Sequence, residues 1–341
     1  MSSSRLLALT GAAVLCIYLL GSERAEIKKE PAPENTAPMT EIPAETEEIK
    51  PVAEVYITQE PVTPANTPQP ESEEGAEETE TTFFIASDAE KPIETTISGG
   101  LAINNQTEYP IDALQVLLSG TTVTLLPDEP QILIIHTHSS EAYTPAGLDR
   151  YEESDICRTE DERYNIIRVG DELERCLKNA GLNVIHDRGI YDYPSYTGSY
   201  GRTSDAISYY LREHPGISVV FDVHRDALGA GDTVYKTVAE EEGTCASQVM
   251  LLVGTDESGL EHPGWRDNLS LAVYLQNAVT TAHPTLMRPI AVVPQRYNQQ
   301  YTPGSLIIEV GSSGNTLQEA LAAARLFGNT AGEALARLVE K

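Results

Sequence analysis

Short apolar runs alternate with amphipathic segments from residue 101 to the carboxyl terminus. Residues 131–135 form a continuous β-branched run between Pro130 and a polar loop, which predicts a strand buried on both faces. Residues 164–179 place apolar side chains at helical spacing and stop before Gly181, which predicts a helix. The same alternation predicts further strands at 183–185, 218–223, 249–253 and 305–310, and helices after Thr203 or Ser204, at 268–282 and at 316–339.

Strands that alternate with helices predict an α/β fold, with a mostly parallel sheet covered by helices on both faces. In such sheets, functional residues collect at the carboxyl ends of the strands. We assign this folded domain to residues 99–341.

The segment before this domain has two parts. Residues 6–21 are almost wholly apolar and follow Arg5, so residues 1–22 are expected to be a membrane anchor, with a cleaved signal segment as the alternative. A single-pass anchor would leave the domain outside the cytoplasm. Residues 23–98 are rich in Glu, Thr and Pro and poor in large apolar residues, which predicts a disordered acidic linker. The linker is either a plain spacer or a partner-binding segment.

Charge excludes one class of partner. The net charge is −29, and about half of it comes from residues 23–94, where 19 acidic residues face five basic ones. Binding to nucleic acid draws on clustered Lys and Arg, and the sequence shows no basic patch, so no nucleic acid partner is expected.

Three predicted strands end on ionisable residues. The first runs into His136-Thr-His138-Ser-Ser-Glu141, another ends at His224-Arg225-Asp226, and the last ends at Glu309. Because the carboxyl ends of parallel strands meet at one edge of a sheet, these side chains are expected to form one site.

Two imidazoles and one carboxylate are a known catalytic zinc set. We therefore predict Zn²⁺ ligands at His138, Glu141 and His224, and a general base at Glu309. His136 could replace His138 as a ligand or lie beside the site. Asp226 or a backbone carbonyl could orient a ligand histidine, whereas Asp222 is expected to be less directly involved.

The loop 187–202 is dense in Tyr and Gly, which suits a sugar or peptide surface, although its rings could equally pack on one another. Tyr196 is the candidate substrate contact in this loop. Arg202 and Arg225 could clamp a substrate carboxylate or form structural ion pairs.

Several separate motifs follow one another between Leu101 and the carboxyl terminus. They are His136-Thr-His138-Ser-Ser-Glu141, Val169-Gly170-Asp-Glu-Leu, Val184-Ile-His-Asp187, Tyr193-Pro-Ser-Tyr-Thr-Gly-Ser-Tyr-Gly-Arg202, Asp222-Val-His-Arg-Asp-Ala227, Gln295-Arg-Tyr-Asn298, Ile308-Glu-Val-Gly311 and Asn315-Thr316. Together they resemble the stage II sporulation protein P family, which is similar to zinc N-acetylmuramoyl-L-alanine amidases.

The resemblance implies an amidase or zinc-exopeptidase-like fold and a peptidoglycan hydrolase with additional endopeptidase activity, acting in forespore engulfment during sporulation. It also implies a membrane anchor and partnership with sporulation proteins D and M. Two alternatives remain: a zinc carboxypeptidase acting on cell-wall peptides, and a non-catalytic scaffold that binds cell wall or partner proteins.

Overall fold

The computed structural model describes residues 83–85, 93–98, 101–230, 233–241 and 243–340. The predicted anchor at 1–22 and most of the predicted linker lie outside these residues. Within the described part of the chain, none of the helices combines the length and apolar character needed to cross a membrane.

Among the described residues, nine strands form one sheet and four short strands form two separate hairpins. The strands in chain order are β1 (Phe83–Ile85), β2 (Ile93–Ser98), β3 (Leu101–Asn105), β4 (Ile132–Ile135), β5 (Val184–His186), β6 (Val219–Asp226), β7 (Gly229–Ala230), β8 (Thr233–Val234), β9 (Ala239–Glu241), β10 (Thr244–Ala246), β11 (Val249–Gly254), β12 (Ile290–Val293) and β13 (Gly304–Ser312). The order across the sheet is β1-β2-β3-β12-β11-β13-β6-β4-β5.

The sheet is mixed and mostly parallel. β13, β6, β4 and β5 run in one direction, and β3, β12 and β11 run in the opposite direction. The change occurs where β11 pairs antiparallel with β13, with Val249 opposite Val310. An apolar run shows that a strand is buried but not which way it points, so the sequence could not reveal this reversal.

Helices cover both faces of the sheet, as predicted. They are α1 (Ala113–Ser119), α2 (Ile166–Asn179), α3 (Ser199–Glu213), α4 (Trp265–Ala282) and α5 (Leu317–Ala336). Ile132 and Ile134 of β4 pack with residues of α2, α4 and α5, whereas Leu133 and Ile135 pack on the opposite face with Ile207 of α3. The period of two along a strand thus distributes one apolar run between two cores.

The segment 23–98, predicted to be the linker, contains two strands near its end. β1 and β2 lie within the segment 23–98 and pair antiparallel, and β2 continues the pairing onto β3. β2 carries β-branched residues at every second position, Ile93, Thr95 and Ile97, a strand signal that the acidic composition of the whole segment obscures.

Candidate active site

The site forms on the α3 side of the sheet, across the neighbouring strands β13, β6 and β4. His224 of β6 and Glu309 of β13 are directly paired in the parallel register. Both lie inside their strands, because β6 continues to Asp226 and β13 to Ser312. His224 and Glu309 thus lie next to each other, and their strands end two and three residues after them.

A turn after β4 brings His138 and Glu141 to His224. The backbone N–H of Glu141 donates to the carbonyl of His138 at 3.1 Å, which folds residues 138–141 back on themselves. The rings of His138 and His224 lie nearly perpendicular, with 5.2 Å between their centroids. Glu141 Oε2 lies 3.7 Å from His224 Nδ1. All three residues are buried, so the structure brings together the predicted ligand set.

Three atoms of the cluster are buried without a hydrogen-bond partner, namely His138 Nδ1, His224 Nε2 and Glu309 Oε2. Buried polar atoms are nearly always satisfied, so three orphans in one cluster call for a missing partner. Two imidazole nitrogens and a carboxylate suit zinc. Burial, followed by the nearby charge of His224, lowers the pKa of His138 to about 3, which keeps its ring neutral.

Glu309 has the environment of a proton acceptor. Part of the residue reaches the surface, but its Oε2 atom is buried. Burial raises the pKa of Glu309 to about 8, and the Asp226 carboxylate adds to the rise while His224 opposes it. A carboxyl group with such a pKa can both take and return a proton near neutral pH.

Asp222 lies beside His224, in the place predicted for Asp226 or a backbone carbonyl. Asp222 Oδ1 lies 2.8 Å from His224 Nε2, although the angle is unsuitable for a hydrogen bond. Burial alone would lower the pKa of His224, but the Asp222 carboxylate outweighs it and raises the pKa to about 10. Asp226 instead pairs with Arg288 at 2.7 Å. The spacing of two residues on a strand, which puts Asp222 and His224 on one face, could have predicted this contact.

His136 lies away from the ligand cluster. Its Nδ1 lies 2.8 Å from the carbonyl oxygen of Val223, and its Nε2 lies 2.9 Å from His186 Nε2. Both ring nitrogens are therefore engaged, and the structure does not support His136 as an alternative metal ligand. Burial, followed by His186, lowers the pKa of His136 to about 3.

Arg202 and Arg225, the two predicted substrate clamps, donate their side-chain hydrogen bonds to backbone carbonyl oxygens. The buried Arg225 guanidinium donates to the carbonyl oxygens of Ala142 and Cys157 at 2.5 and 3.0 Å. Arg202 donates to the carbonyls of three residues in its own loop, Tyr191, Ser195 and Thr197. These contacts hold loops in place, so the structure does not support either arginine as a substrate clamp.

The third predicted substrate contact lies at the site. The ring of Tyr196, which is 57% exposed, stacks on His138 with 4.4 Å between centroids and 13° between planes. The guanidinium of Arg158 lies over the Tyr196 ring, 5.0 Å from its centroid, and pairs with buried Asp192. The sequence offered no signal for Arg158 or Asp192, because neither ends a strand and the turns that place them have no periodic pattern.

Among the described residues, a tighter group of potential ligands lies elsewhere, on α2 and β5. Ligand atoms of Asp171, Glu174 and His186 all lie within 4.8 Å of one another. Arg188 pairs with Asp171, and Lys178 pairs with Glu174 at 2.5 Å. Cations of the protein thus already neutralise these carboxylates, whereas the cluster around His224 contains buried unsatisfied atoms.

A family model described as stage II sporulation protein P (SpoIIP) matches residues 18–330. The chain belongs to this family. A stage II sporulation protein P from Bacillus subtilis (strain 168) is 24% identical over 221 residues, which make up 60% of this chain and 51% of that protein. This chain therefore spans about half the length of the curated relative it matches.

Solved N-acetylmuramoyl-L-alanine amidases are similar at low identity. AmiC2 of Nostoc punctiforme is 14% identical with a TM-score of 0.35, and the match covers 61% of this chain and 94% of that chain. Ami1 from Mycobacterium smegmatis is 12% identical with a TM-score of 0.35, covering 62% and 97%. Similarities of this size carry no functional argument, so function has to be argued from the family and the site geometry.

Proposed function

We propose that this chain is a peptidoglycan hydrolase, a zinc-dependent N-acetylmuramoyl-L-alanine amidase. The observation that carries the proposal is the convergence of His138, Glu141, His224 and Glu309 in one cluster with three buried unsatisfied atoms. Membership of the stage II sporulation protein P family supports a role in sporulation.

In this proposal His138, Glu141 and His224 hold the metal. When bound, zinc would supply Lewis-acid activation of a water molecule and of the substrate carbonyl. Glu309 takes the proton from the attacking water and delivers it to the nitrogen of the leaving amine. The raised pKa of Glu309 suits both halves of this transfer.

The family supplies the wider setting, which is part of the same proposal. It comprises endopeptidase activity on peptide crosslinks, action in forespore engulfment, and partnership with sporulation proteins D and M. It also comprises a single-pass anchor at residues 1–22 in the cell membrane, with the catalytic domain outside the cytoplasm.

The test is metal content and cleavage of purified peptidoglycan by the full chain in detergent. Wild type should contain about one zinc and release stem peptides with a free amino group, leaving a free carboxyl group on muramic acid. Glu309→Gln should keep the zinc and lose roughly 10²- to 10⁴-fold in rate, as expected for loss of a general base. His224→Ala should lose both, whereas Glu213→Gln, at an exposed position at the end of α3, should change neither.

Two outcomes would replace the proposal. Cleavage restricted to the carboxyl ends of short peptides would identify a carboxypeptidase. A folded protein that contains no zinc, binds cell wall and cleaves nothing would identify a scaffold.

A further inference from the structure

Arg158 lies against Glu141 of the proposed metal cluster, although it follows no strand and belongs to no motif. Its Nη2 lies 3.7 Å from Glu141 Oε1. Its guanidinium is over the face of Tyr196, which in turn stacks on His138. Only 19% of the side chain is exposed, so this cation is largely withdrawn from water next to the reacting groups.

Asp192 fixes the position of Arg158. The Asp192 side chain is fully buried, and it accepts hydrogen bonds from the backbone N–H and the hydroxyl of Ser140 at 3.0 and 2.8 Å. Arg158 Nη1 donates to the same carboxylate at 2.5 Å. A buried carboxylate held by three donors is a rigid anchor, and it orients the planar guanidinium.

This anchoring occupies one edge of the guanidinium. Within the described part of the chain, the side-chain hydrogen bonds of Arg158 all leave from Nη1, to Asp192 and to the Ser140 hydroxyl. Nε and Nη2 make none there, although they carry three of the five N–H donors of the group. A cation that is fixed on one side and has donors left on the other is preorganised to receive an anionic oxygen.

Arg158 borders a cavity of about 120 Å³. Arg158 and Asp192 line it together with Asp155, Tyr193, Pro194 and Tyr196. The rings of Tyr193 and Tyr196, 42% and 57% exposed, provide flat apolar surface at its mouth. The lining residues thus include one cation, Arg158, and two carboxylates, Asp155 and Asp192.

We propose that Arg158 binds an anionic oxygen of the substrate in the amidase reaction, held in position by Asp192. The inference rests on the proposed function. The oxygen has two possible sources, a carboxylate of the stem peptide or the scissile carbonyl oxygen as it becomes negative during attack by water. The two sources have different consequences for binding and for turnover.

The experiment compares Arg158→Lys, Arg158→Ala and the control Arg163→Ala, an exposed arginine paired with Asp161. Turnover is measured on a soluble muropeptide and on the same molecule with its carboxylates amidated. Binding of both molecules is measured by calorimetry in a Glu309→Gln background, and metal content is measured throughout. Because Arg158→Ala leaves Asp192 unpaired, the double variant Arg158→Met/Asp192→Asn removes both charges as a second test.

If the carbonyl oxygen is the partner, Arg158→Ala lowers kcat about 10²- to 10³-fold with KM and binding unchanged, the loss known for one oxyanion donor. If a carboxylate is the partner, binding weakens about ten- to a hundredfold, as expected for a charged hydrogen bond, and the amidated molecule is insensitive to the change. Arg158→Lys should recover part of either loss.

Activity and binding within twofold of wild type in Arg158→Ala or in the double variant would overturn the inference. Loss of metal in both variants would also overturn it, since Arg158 would then serve only to support Glu141. The proposed function fails by a different result: a zinc-loaded wild type that releases no stem peptide. The calorimetric comparison still tests Arg158 in that case. Equal binding of the muropeptide by Glu309→Gln with and without Arg158→Ala rejects the role of Arg158.

Discussion

At the scale of single residues, a chain of hydrogen bonds behind the site fixes the tautomer of His136. A carbonyl oxygen can only accept, so the contact with Val223 requires a proton on His136 Nδ1. With its pKa lowered to about 3, His136 is neutral, and its Nε2 must accept the hydrogen bond from His186 Nε2. Val223 immediately precedes His224, so this chain supports the backbone at a proposed ligand.

Replacing His186 with Leu should therefore leave a buried acceptor on His136 without a donor. We expect a loss of about 1–3 kcal/mol in the free energy of unfolding, measured by urea denaturation. His186→Gln is the matched control, since its amide can still donate, and it should recover part of the loss. Nitrogen NMR should find His136 protonated on Nδ1 alone. A proton on its Nε2, or equal stability of the two variants, would contradict this account.

The sequence predicts the proposed ligands and base but not the residues that hold them. His138, Glu141, His224 and Glu309 follow or end apolar runs, a local signal that reveals their proximity. Arg225 and Arg202 looked equally suitable as clamps, yet both donate to carbonyls of loops whose conformation has no sequence periodicity. Asp192 and Arg158 meet across such a loop as well. Contacts between side chains on such loops depend on the conformation of the assembled fold, which the local sequence does not reveal.

At the scale of elements, the bend in β13 after Glu309 depends on a glycine. The register with β6 shifts between Glu309 and Ser312, and Gly311 has a φ of +69°. A Cβ atom at Gly311 would lie 2.8 Å from Ser247 Cβ and 2.9 Å from Asn315 Oδ1. This position requires glycine both for its backbone conformation and for the close approach of its neighbours.

Gly311→Ala should therefore destabilise the protein by more than the cost of backbone conformation alone. Gly181→Ala is the matched control, because Gly181 has a φ of +88° with open space around its Cβ position. The control should lose about 1–2 kcal/mol in the free energy of unfolding, and Gly311→Ala should lose clearly more. Equal losses in chemical denaturation would show that the neighbours of Gly311 yield without cost.

The start of α4 should make stability depend on pH. His262 is buried, its Nε2 lies 2.8 Å from Asn268 Oδ1, and burial lowers the pKa of His262 below its usual value of 6.5. The unfolded chain therefore takes up a proton at a higher pH than the folded protein. Stability due to this group is present above about pH 6.5 and is lost as the pH falls through that value.

The measurement is the thermal midpoint of wild type and His262→Gln between pH 7.5 and 5. Gln can still donate to Asn268 but does not titrate. The midpoint of wild type should fall more steeply on acidification than that of the variant. Parallel curves would show that His262 contributes nothing to the pH dependence.

The elements themselves were predictable in proportion to their apolar pattern. The strands β4, β6, β11 and β13 are largely buried, and each contains an apolar run. Each is predicted within three residues of its observed ends. α3 begins at Ser199 rather than at 203 or 204, because its first turn lies within the Tyr- and Gly-rich loop, where apolar periodicity is absent. The hairpins β7–β8 and β9–β10 are too short to show a period, and β12 is not predicted although its apolar run is as long as that of β4. The antiparallel entry of β11 depends on pairing across the whole sheet.

At the scale of the whole molecule, the proposed metal site joins segments that are far apart in the chain. His138 and Glu141 lie after β4, and His224 lies in β6, more than 80 residues later. An ion that binds all three residues contacts them only in the folded state, so its binding energy adds to the stability of the fold. The alternative group at Asp171, Glu174 and His186 joins only α2 and β5.

Zinc should therefore raise the thermal midpoint of the metal-free protein, and variants of the two groups identify which of them binds it. At a free zinc concentration 100-fold above its dissociation constant, the gain is about 2.7 kcal/mol in the free energy of unfolding. Glu309→Gln should respond as wild type does, because Glu309 is not a ligand in the proposal, whereas His224→Ala should not respond. Glu174→Gln should keep the full response if zinc binds beside His224. A response abolished by Glu174→Gln and retained by His224→Ala would move the metal to α2 and remove the support for a hydrolytic centre between β6 and β13.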